Sequence, residues 1–155
     1  LQGGLIVLVG VPVMFGIANA SAPLGWPDAL GVLLFTAGFI FESIADSQLS
    51  AFKRDADNAG KVLDTGLWAW SRHPNYFGNT LIWWGLFAIA ASDPENLWTF
   101  VGPAIMTWLI IKVSGADLLE RGLHRSKPGY EAYVSRTSKF IPLPPRTTRA
   151  RRQSL

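Results

Sequence analysis

Long apolar runs alternate with short polar segments along this chain. No charged residue occurs in residues 1–27, and none occurs in residues 74–92. Uncharged runs of this length match the roughly 17–25 residues that a helix needs to cross a bilayer. The pattern predicts four membrane-spanning helices, over residues 1–20, 28–48, 76–92 and 97–116. We therefore predict an all-α fold: a polytopic transmembrane bundle with short interfacial helices at the cytoplasmic surface.

The positive charges divide the polar segments into two groups. All 14 Lys and Arg residues lie in residues 51–75 or in residues 112–155, and the connections at residues 21–27 and 93–96 contain none. Four crossings place both basic segments on the same side of the membrane. Lys and Arg are enriched in cytoplasmic loops, so we expect that side, and both chain ends, to face the cytoplasm.

The composition supports a membrane protein of one domain. Apolar residues make up 49% of the chain and charged residues 16%, against about a quarter charged in soluble domains. We assign residues 1–146 to the membrane-embedded domain and residues 147–155 to a basic, disordered cytoplasmic tail. Such a tail is more typical of an anchor for anionic lipid than of a nucleic-acid site, so no nucleic-acid partner is expected.

Two carboxylates lie inside the second predicted span. Glu42 and Asp46 are four residues apart, and Lys53 follows seven residues later, so one continuous helix places all three within roughly 40° of each other. Acidic groups in a span are costly unless they face protein, water or a partner charge. They either lie at the headgroup level beside Lys53 or form the polar wall of a cavity open to the cytoplasm, which is the interpretation we favour.

A second polar cluster opens the third predicted span. It reads Arg72-His73-Pro74-Asn75-Tyr76-Phe77-Gly78-Asn79, and Pro74 suits the first turn of a helix. Asn75 and Asn79 are four residues apart, so a polar face continues into the membrane. Interhelical hydrogen bonds could account for both amides. The density of polar groups in eight residues favours a binding site instead.

Charged residues also follow the fourth predicted span. They are Lys112, Asp117, Glu120, Arg121 and His124. Most are interpreted as interfacial charges whose aliphatic stems cover apolar surface, and Glu120 and Arg121 are retained as site candidates. We expect an interfacial helix at residues 117–125 and a second short one after Pro128, where apolar positions recur with helical spacing. Residues 140–145 contain three prolines and should be extended.

Several common site types are excluded by the sequence. Two distant His residues and no Cys provide no zinc set, so no metal is expected. There is no phosphate-binding loop, Gly-x-Gly-x-x-Gly motif or nucleophile elbow. A cofactor would therefore have to lie between helices.

Four stretches resemble steroid 5-alpha-reductases, in particular a bacterial branch of related membrane proteins. They are Trp70-Ser71-Arg72-His73-Pro74-Asn75-Tyr76-Phe77-Gly78 with Trp83-Trp84-Gly85, then Lys127-Pro128-Gly129-Tyr130-Glu131-Ala132-Tyr133, and finally Thr137-Ser138-Lys139-Phe140-Ile141-Pro142. Asp46 and Lys53 on the preceding helix also fit. The resemblance covers about residues 28–146 and implies a bacterial inner-membrane location.

The resemblance implies an NADPH-dependent reduction of a carbon–carbon double bond in a lipophilic enone. Asp46, Lys53 and Asn75 match cofactor-contacting positions, while Glu42 stands where an Asn is usual and Lys53 where an Arg is usual. The reductases carry a carboxylate where this chain has Asn79. We assign cofactor binding to the following residues: Glu42, Asp46, Lys53, Arg72, His73, Asn75, Arg121 and Tyr133. Asn79, Tyr76 and Glu120 are the catalytic candidates, with Asn79 or Tyr76 donating a hydrogen bond to the developing enolate.

The same superfamily contains isoprenylcysteine carboxyl methyltransferases, which use S-adenosylmethionine. Their Arg-His-Pro-x-Tyr-x-Gly signature is similar to the stretch from Arg72 to Gly78, and their downstream regions are matched near Glu120 and Tyr133. A methyltransferase is therefore the alternative, followed by a non-enzymatic lipid-binding protein. The expected partners are a lipophilic small molecule and membrane lipid, and a monomer is expected.

Overall fold

The computed structural model describes residues 2–18, 23–114 and 127–146. These residues form five α-helices: α1 (Gln2–Ala18), α2 (Trp26–Arg54), α3 (Pro74–Ala90), α4 (Val101–Trp108) and α5 (Tyr130–Arg136). Shorter helical turns join them, and the extended pairing within the described residues is a single bridge between Ser71 and Ser138. The predicted all-α fold is confirmed.

Local sequence signals set the ends of α2 and α3. The Asp28 carboxylate accepts a hydrogen bond from the Gly25 N–H at 2.8 Å, which fixes the start of α2. Lys53 and Arg54 occupy the last turn of α2, where cations oppose the negative end of the helix dipole. Pro74 begins α3, as predicted. Because α2 continues to Arg54, Glu42, Asp46 and Lys53 lie on one helix.

Glycines allow α2 and α3 to pack with their backbones almost in contact. A Cβ added at Gly38 would lie 2.6 Å from the Gly78 carbonyl oxygen, and one added at Gly31 would lie 2.6 Å from that of Gly85. Gly31 and Gly38 are seven residues apart on α2, and Gly78 and Gly85 are seven residues apart on α3. The earlier glycine of α2 meets the later glycine of α3, so the two helices are antiparallel. Small residues at such interfaces are typical of helix pairs in membranes.

Gly38→Ala should destabilise the α2–α3 pair. The added methyl group has to separate two backbones, and overpacking of this kind costs about 1–3 kcal/mol. The melting temperature in detergent should therefore fall. Gly10→Ala is the matched control, because Gly10 lies in α1 and a Cβ there would meet nothing within 4 Å. If Gly38→Ala melts no lower than Gly10→Ala, the close packing of α2 on α3 is wrong.

α1 and α4 pack around the C-terminal end of α3. Phe15 of α1 and Trp98 contact each other edge to face, with ring centroids 4.8 Å apart. The Trp84 indole N–H of α3 donates to the Thr107 hydroxyl of α4 at 3.2 Å. Asn96 is buried and its side-chain amide donates to the Ala90 carbonyl at 3.2 Å. These contacts join α1, α3 and α4 away from the polar clusters.

Among the described helices, α2 is the one that is both long and apolar enough to cross a membrane. Apolar side chains on α2, such as Leu33, Phe39 and Ile40, are exposed, which is compatible with membrane association. The four predicted crossings are not confirmed. α1 and α3 have 17 residues each, about 25 Å at 1.5 Å per residue. The fourth predicted span begins with the 3-10 turn Pro94–Phe100 and becomes a π-helix at Leu109–Ser114.

The C-terminal predictions divide into confirmed and untested parts. The short helix after Pro128 is α5, and residues 140–146 contain no helix, as expected. The predicted interfacial helix at 117–125, the site candidates Glu120 and Arg121, and the basic tail at 147–155 lie outside the described residues.

Candidate cofactor site

A cavity of about 590 Å³ lies at the C-terminal end of α2. The last turns of α2, the loop 56–63, the start of α3 and α5 form its walls. The size falls within the roughly 300–1,000 Å³ of most ligand sites. Six candidate residues from the sequence line this cavity: Lys53, Arg72, His73, Asn75, Tyr76 and Tyr133.

The charged residues that line the cavity are mostly cationic. Lys53, Arg72 and Lys127 contribute positive charge, and Asp55 is the acidic residue among the described lining residues. The rest of the lining is largely apolar or aromatic. Grouped cations around a cavity favour an anionic ligand.

Glu42, Asp46 and Asn79 do not line the cavity and lie next to it. The Asn75 amide donates to an Asp46 carboxylate oxygen at 2.9 Å, and the Asn79 amide donates to both Glu42 oxygens at 3.3 and 3.4 Å. The two amides are four residues apart on α3, and the two carboxylates are four residues apart on α2. They form two successive amide–carboxylate pairs between the helices, here called the rungs.

The two asparagines differ in their surroundings. Asn75 lines the cavity, and its side-chain amide oxygen accepts a hydrogen bond from the Tyr76 backbone N–H at 3.0 Å. The Asn79 carbonyl oxygen is buried and accepts no hydrogen bond from the described residues. Asn75 is thus positioned both to join the helices and to meet a ligand, and Asn79 lies one turn deeper.

His73 and Tyr76 form a stacked pair at the cavity wall. Their rings are 5.5 Å apart with planes inclined by 5°. His73 is buried, and its backbone N–H donates to the Ser71 hydroxyl at 3.1 Å. The stack fixes the ring of Tyr76, a residue that lines the cavity.

The C-terminal segment clamps the residues that precede α3. The Tyr133 hydroxyl donates to the Trp68 carbonyl at 2.6 Å, and the Ser71 hydroxyl donates to the Phe140 carbonyl at 2.8 Å. Burial raises the pKa of the Tyr133 phenol, which therefore remains a donor at physiological pH. Tyr133 was assigned to cofactor binding from the sequence, and its hydroxyl holds the backbone of the cavity wall.

Tyr133→Phe should lower stability. The change removes a buried hydrogen bond and leaves the Trp68 carbonyl without that donor, at a cost of about 1–3 kcal/mol. We expect a lower melting temperature in detergent. Tyr130→Phe is the control, since it tests loss of a second buried phenol in the same helix. Equal melting of Tyr133→Phe and wild type would show that the clamp does not stabilise the site.

Comparison with known proteins assigns the chain to a family. A family model described as "Protein of unknown function (DUF1295)" matches residues 1–137. The chain belongs to the DUF1295 family. This family lies in the steroid 5-alpha-reductase-like superfamily, so the resemblance is confirmed at that level.

A curated relative from outside the bacteria is also similar to the chain. It is an uncharacterised protein of Schizosaccharomyces pombe, 28% identical, and the match covers 81% of this chain. The chain spans 42% of the length of that relative. No solved structure matches the chain. Neither comparison supports the narrower assignment to a bacterial branch.

The DUF1295 chain also lines its cavity with residues that sequence reasoning did not single out. Trp68 donates its indole N–H to the Ala45 carbonyl at 3.0 Å, and Lys127 donates to the Lys61 carbonyl. The Trp68 contact joins the chain before α3 to α2, and the Lys127 contact holds the loop 56–63. The two partners are 23 residues apart in the Trp68 hydrogen bond and 66 residues apart in the Lys127 hydrogen bond, so helical periodicity does not predict either contact. In the described residues no group of three His, Cys, Asp or Glu side chains could hold a metal ion.

Proposed function

We propose that the protein is a membrane oxidoreductase that uses NADPH to reduce a carbon–carbon double bond of a lipophilic enone. The observation that carries this proposal is the cationic cavity at the end of α2. Lys53, Arg72 and Lys127 line it together with Asn75. NADPH carries several phosphate charges, whereas S-adenosylmethionine carries a sulfonium cation, so the lining favours the nucleotide with phosphates.

The donor set fits a phosphate-bearing dinucleotide. Arg72 offers a planar fork of N–H donors and Lys53 a mobile ammonium, and both residue types recognise phosphate oxygens. Asn75 supplies amide groups near Asp46 for a polar end of the ligand. The apolar and aromatic part of the lining suits flat rings. NADPH, when bound, would supply the hydride for the reduction.

The chain's own residues would orient the substrate and stabilise charge. The β carbon of the enone would accept a hydride, negative charge would develop on the conjugated oxygen, and a fixed hydrogen-bond donor would lower the energy of that enolate. A proton taken up from water at the other alkene carbon would complete the reduction. Tyr76 is the better-placed candidate, because it lines the cavity while Asn79 is bonded to Glu42. The substrate would enter between helices from the lipid.

A methyltransferase is the second candidate, and one observation favours it. Arg72 and His73, from the stretch similar to the methyltransferase signature, line the same cavity as Tyr133. The cavity could therefore take S-adenosylmethionine, with its carboxylate near the cations. A third possibility is lipid binding without a cofactor.

Ligand-dependent stability separates these three functions. A ligand at about 100 times its Kd stabilises a folded protein by about 2.7 kcal/mol. We expect NADPH to raise the melting temperature of the detergent-purified chain more than S-adenosylmethionine at equal concentration. A rise with S-adenosylmethionine and none with NADPH would favour the methyltransferase. A rise with neither would leave lipid binding.

We further propose the four-span arrangement, in a bacterial inner membrane with both ends cytoplasmic. The chain has no Cys, so single cysteines can report sidedness. Glu95→Cys should react with an impermeant thiol reagent in intact cells, and Ala59→Cys should react after the cells are opened. Both residues are exposed in the structure. Labelling of Ala59→Cys from outside intact cells would contradict this topology.

A further inference from the structure

Three large apolar side chains form an exposed edge beside the start of α3. Trp70, Ile141 and Leu143 are 45%, 59% and 51% exposed. The Leu143 N–H donates to the Trp70 carbonyl at 3.0 Å, which brings these two positions together although they lie far apart in the sequence. Ile141 is two residues before Leu143, and residues two apart share a face of an extended segment. We call these three side chains the apolar edge.

The fold holds the apolar edge in its exposed position. The Ser71 hydroxyl donates to the Phe140 carbonyl at 2.8 Å, and the Phe140 ring packs edge to face on Phe77 of α3, with centroids 5.9 Å apart. Phe140 therefore fixes the segment to α3, while the next side chain, Ile141, is exposed. The prolines in residues 140–145 restrict the backbone further. Apolar side chains that an ordered segment keeps exposed together indicate an interaction surface.

The position of the apolar edge relative to α3 indicates what covers it. α3 begins at Pro74, four residues after Trp70, and residues 74–92 carry no charge. In the proposed four-span arrangement, this end of α3 lies at the cytoplasmic surface of the membrane. Trp is enriched at membrane–water interfaces, where its apolar ring meets lipid and its N–H meets water. The apolar edge therefore lies at the level of the lipid headgroups.

The sequence that continues from the edge is basic. Arg146 is the last described residue, and Arg149, Arg151 and Arg152 follow it in the sequence. No Asp or Glu occurs after Glu131. Basic residues next to exposed apolar side chains are typical of surfaces that bind anionic lipid. Charge complementarity thus favours an anionic membrane surface as the partner of the apolar edge.

We propose that the apolar edge inserts among the headgroups of an anionic membrane leaflet. Insertion requires the proposed orientation of α3 and no particular cofactor. The Arg72 N–H donates to the Ser138 carbonyl at 2.8 Å, and Arg72 lines the cofactor cavity. A membrane that holds the segment in place would therefore also stabilise the cavity wall before α3.

A single labelled cysteine can show where the apolar edge lies, because the chain has no Cys. Ile141→Cys would carry a bimane label in bilayer discs of phosphatidylcholine and phosphatidylglycerol. Lipids with a nitroxide near the headgroup should quench the fluorescence of this label. Ser135→Cys is the matched control, since Ser135 is exposed on α5, and its label should lose little fluorescence.

Two results of the labelling experiment would overturn the proposal. The first is equal quenching at the two positions, whether strong or absent. The second is a label on Ile141→Cys that is shielded from aqueous iodide and yet not quenched by the lipid nitroxide. That result would assign the apolar edge to a contact with protein.

The dependence on lipid charge provides a second test. Replacing part of the phosphatidylcholine by phosphatidylglycerol should raise the melting temperature of the wild type, and Leu143→Ser should lose most of that rise. Leu97→Ser is the matched control, because Leu97 is 53% exposed and residues 73–111 contain no Lys or Arg. It should keep the wild-type rise. Equal rises in the two variants would contradict lipid binding at the apolar edge.

Discussion

Tyr76→Phe should reduce turnover of a lipophilic enone by about 10²–10³, the usual cost of losing one donor to a developing oxyanion. Tyr76 lines the cofactor cavity, and its ring is held by the stack on His73. Phenylalanine preserves the ring and removes the hydroxyl. The stack and the NADPH affinity should therefore remain within a few-fold of wild type. Single-turnover oxidation of NADPH with a panel of enones measures the hydride step directly.

Asn79→Ala is the comparison that decides between the two candidate donors. The Asn79 amide donates to Glu42, so its loss leaves a carboxylate without that partner. We expect Asn79→Ala to lower the melting temperature more than Tyr76→Phe does. We expect Asn79→Ala to lower the single-turnover rate less than Tyr76→Phe does. The reverse pattern, with normal turnover in Tyr76→Phe and slow turnover in Asn79→Ala, would transfer the donor role to Asn79.

Lys53→Ala should weaken NADPH binding more than tenfold. A charge-assisted contact contributes about 1.5–3 kcal/mol, and every 1.4 kcal/mol corresponds to a factor of ten in Kd. Lys53 lines the cofactor cavity, whereas its neighbour Arg54 does not. Arg54→Ala is therefore the matched control, with the same loss of one charge in the last turn of α2.

Salt gives a second readout for Lys53. Direct titration of NADPH into the purified variants should show a reduced salt dependence of binding for Lys53→Ala and a nearly wild-type dependence for Arg54→Ala, because screening acts on the phosphate contact. If Lys53→Ala and Arg54→Ala bind NADPH equally well, the phosphates do not lie at the end of α2.

Much of the helical architecture could be predicted from local patterns. The uncharged runs predicted α1 and α3, and Pro74 predicted the start of α3. The helical spacing of apolar positions after Pro128 predicted α5. The position of Lys53 on the same helix as Glu42 followed from 3.6-residue periodicity. In each case the signal is carried by residues within a few turns of one another.

The rungs between α2 and α3 were predictable only in part. The sequence showed two carboxylates and two amides, each pair with a spacing of four, but not which amide met which carboxylate. That match depends on the register of the antiparallel helices. The register is set by Gly38 against Gly78 and by Gly31 against Gly85.

The contacts that hold the cavity wall before α3 could not be predicted from sequence patterns. Tyr133 meets Trp68, and Ser71 meets Phe140, across 65 and 69 residues. Each contact ends on a backbone carbonyl that is far away in the sequence, so no periodicity predicts it. Long-range pairing of irregular chain is a property of the folded structure.

Transfer of deuterium tests the central claim most directly. The detergent-purified chain would be incubated with lipophilic enones and with NADPH deuterated at the hydride-donating carbon, and the products analysed by mass spectrometry. The account predicts a saturated product that contains one deuterium on the former alkene carbon, and loss of that product in Tyr76→Phe. Absence of deuterium in every product, together with methyl transfer from labelled S-adenosylmethionine to a lipophilic acceptor, would contradict it.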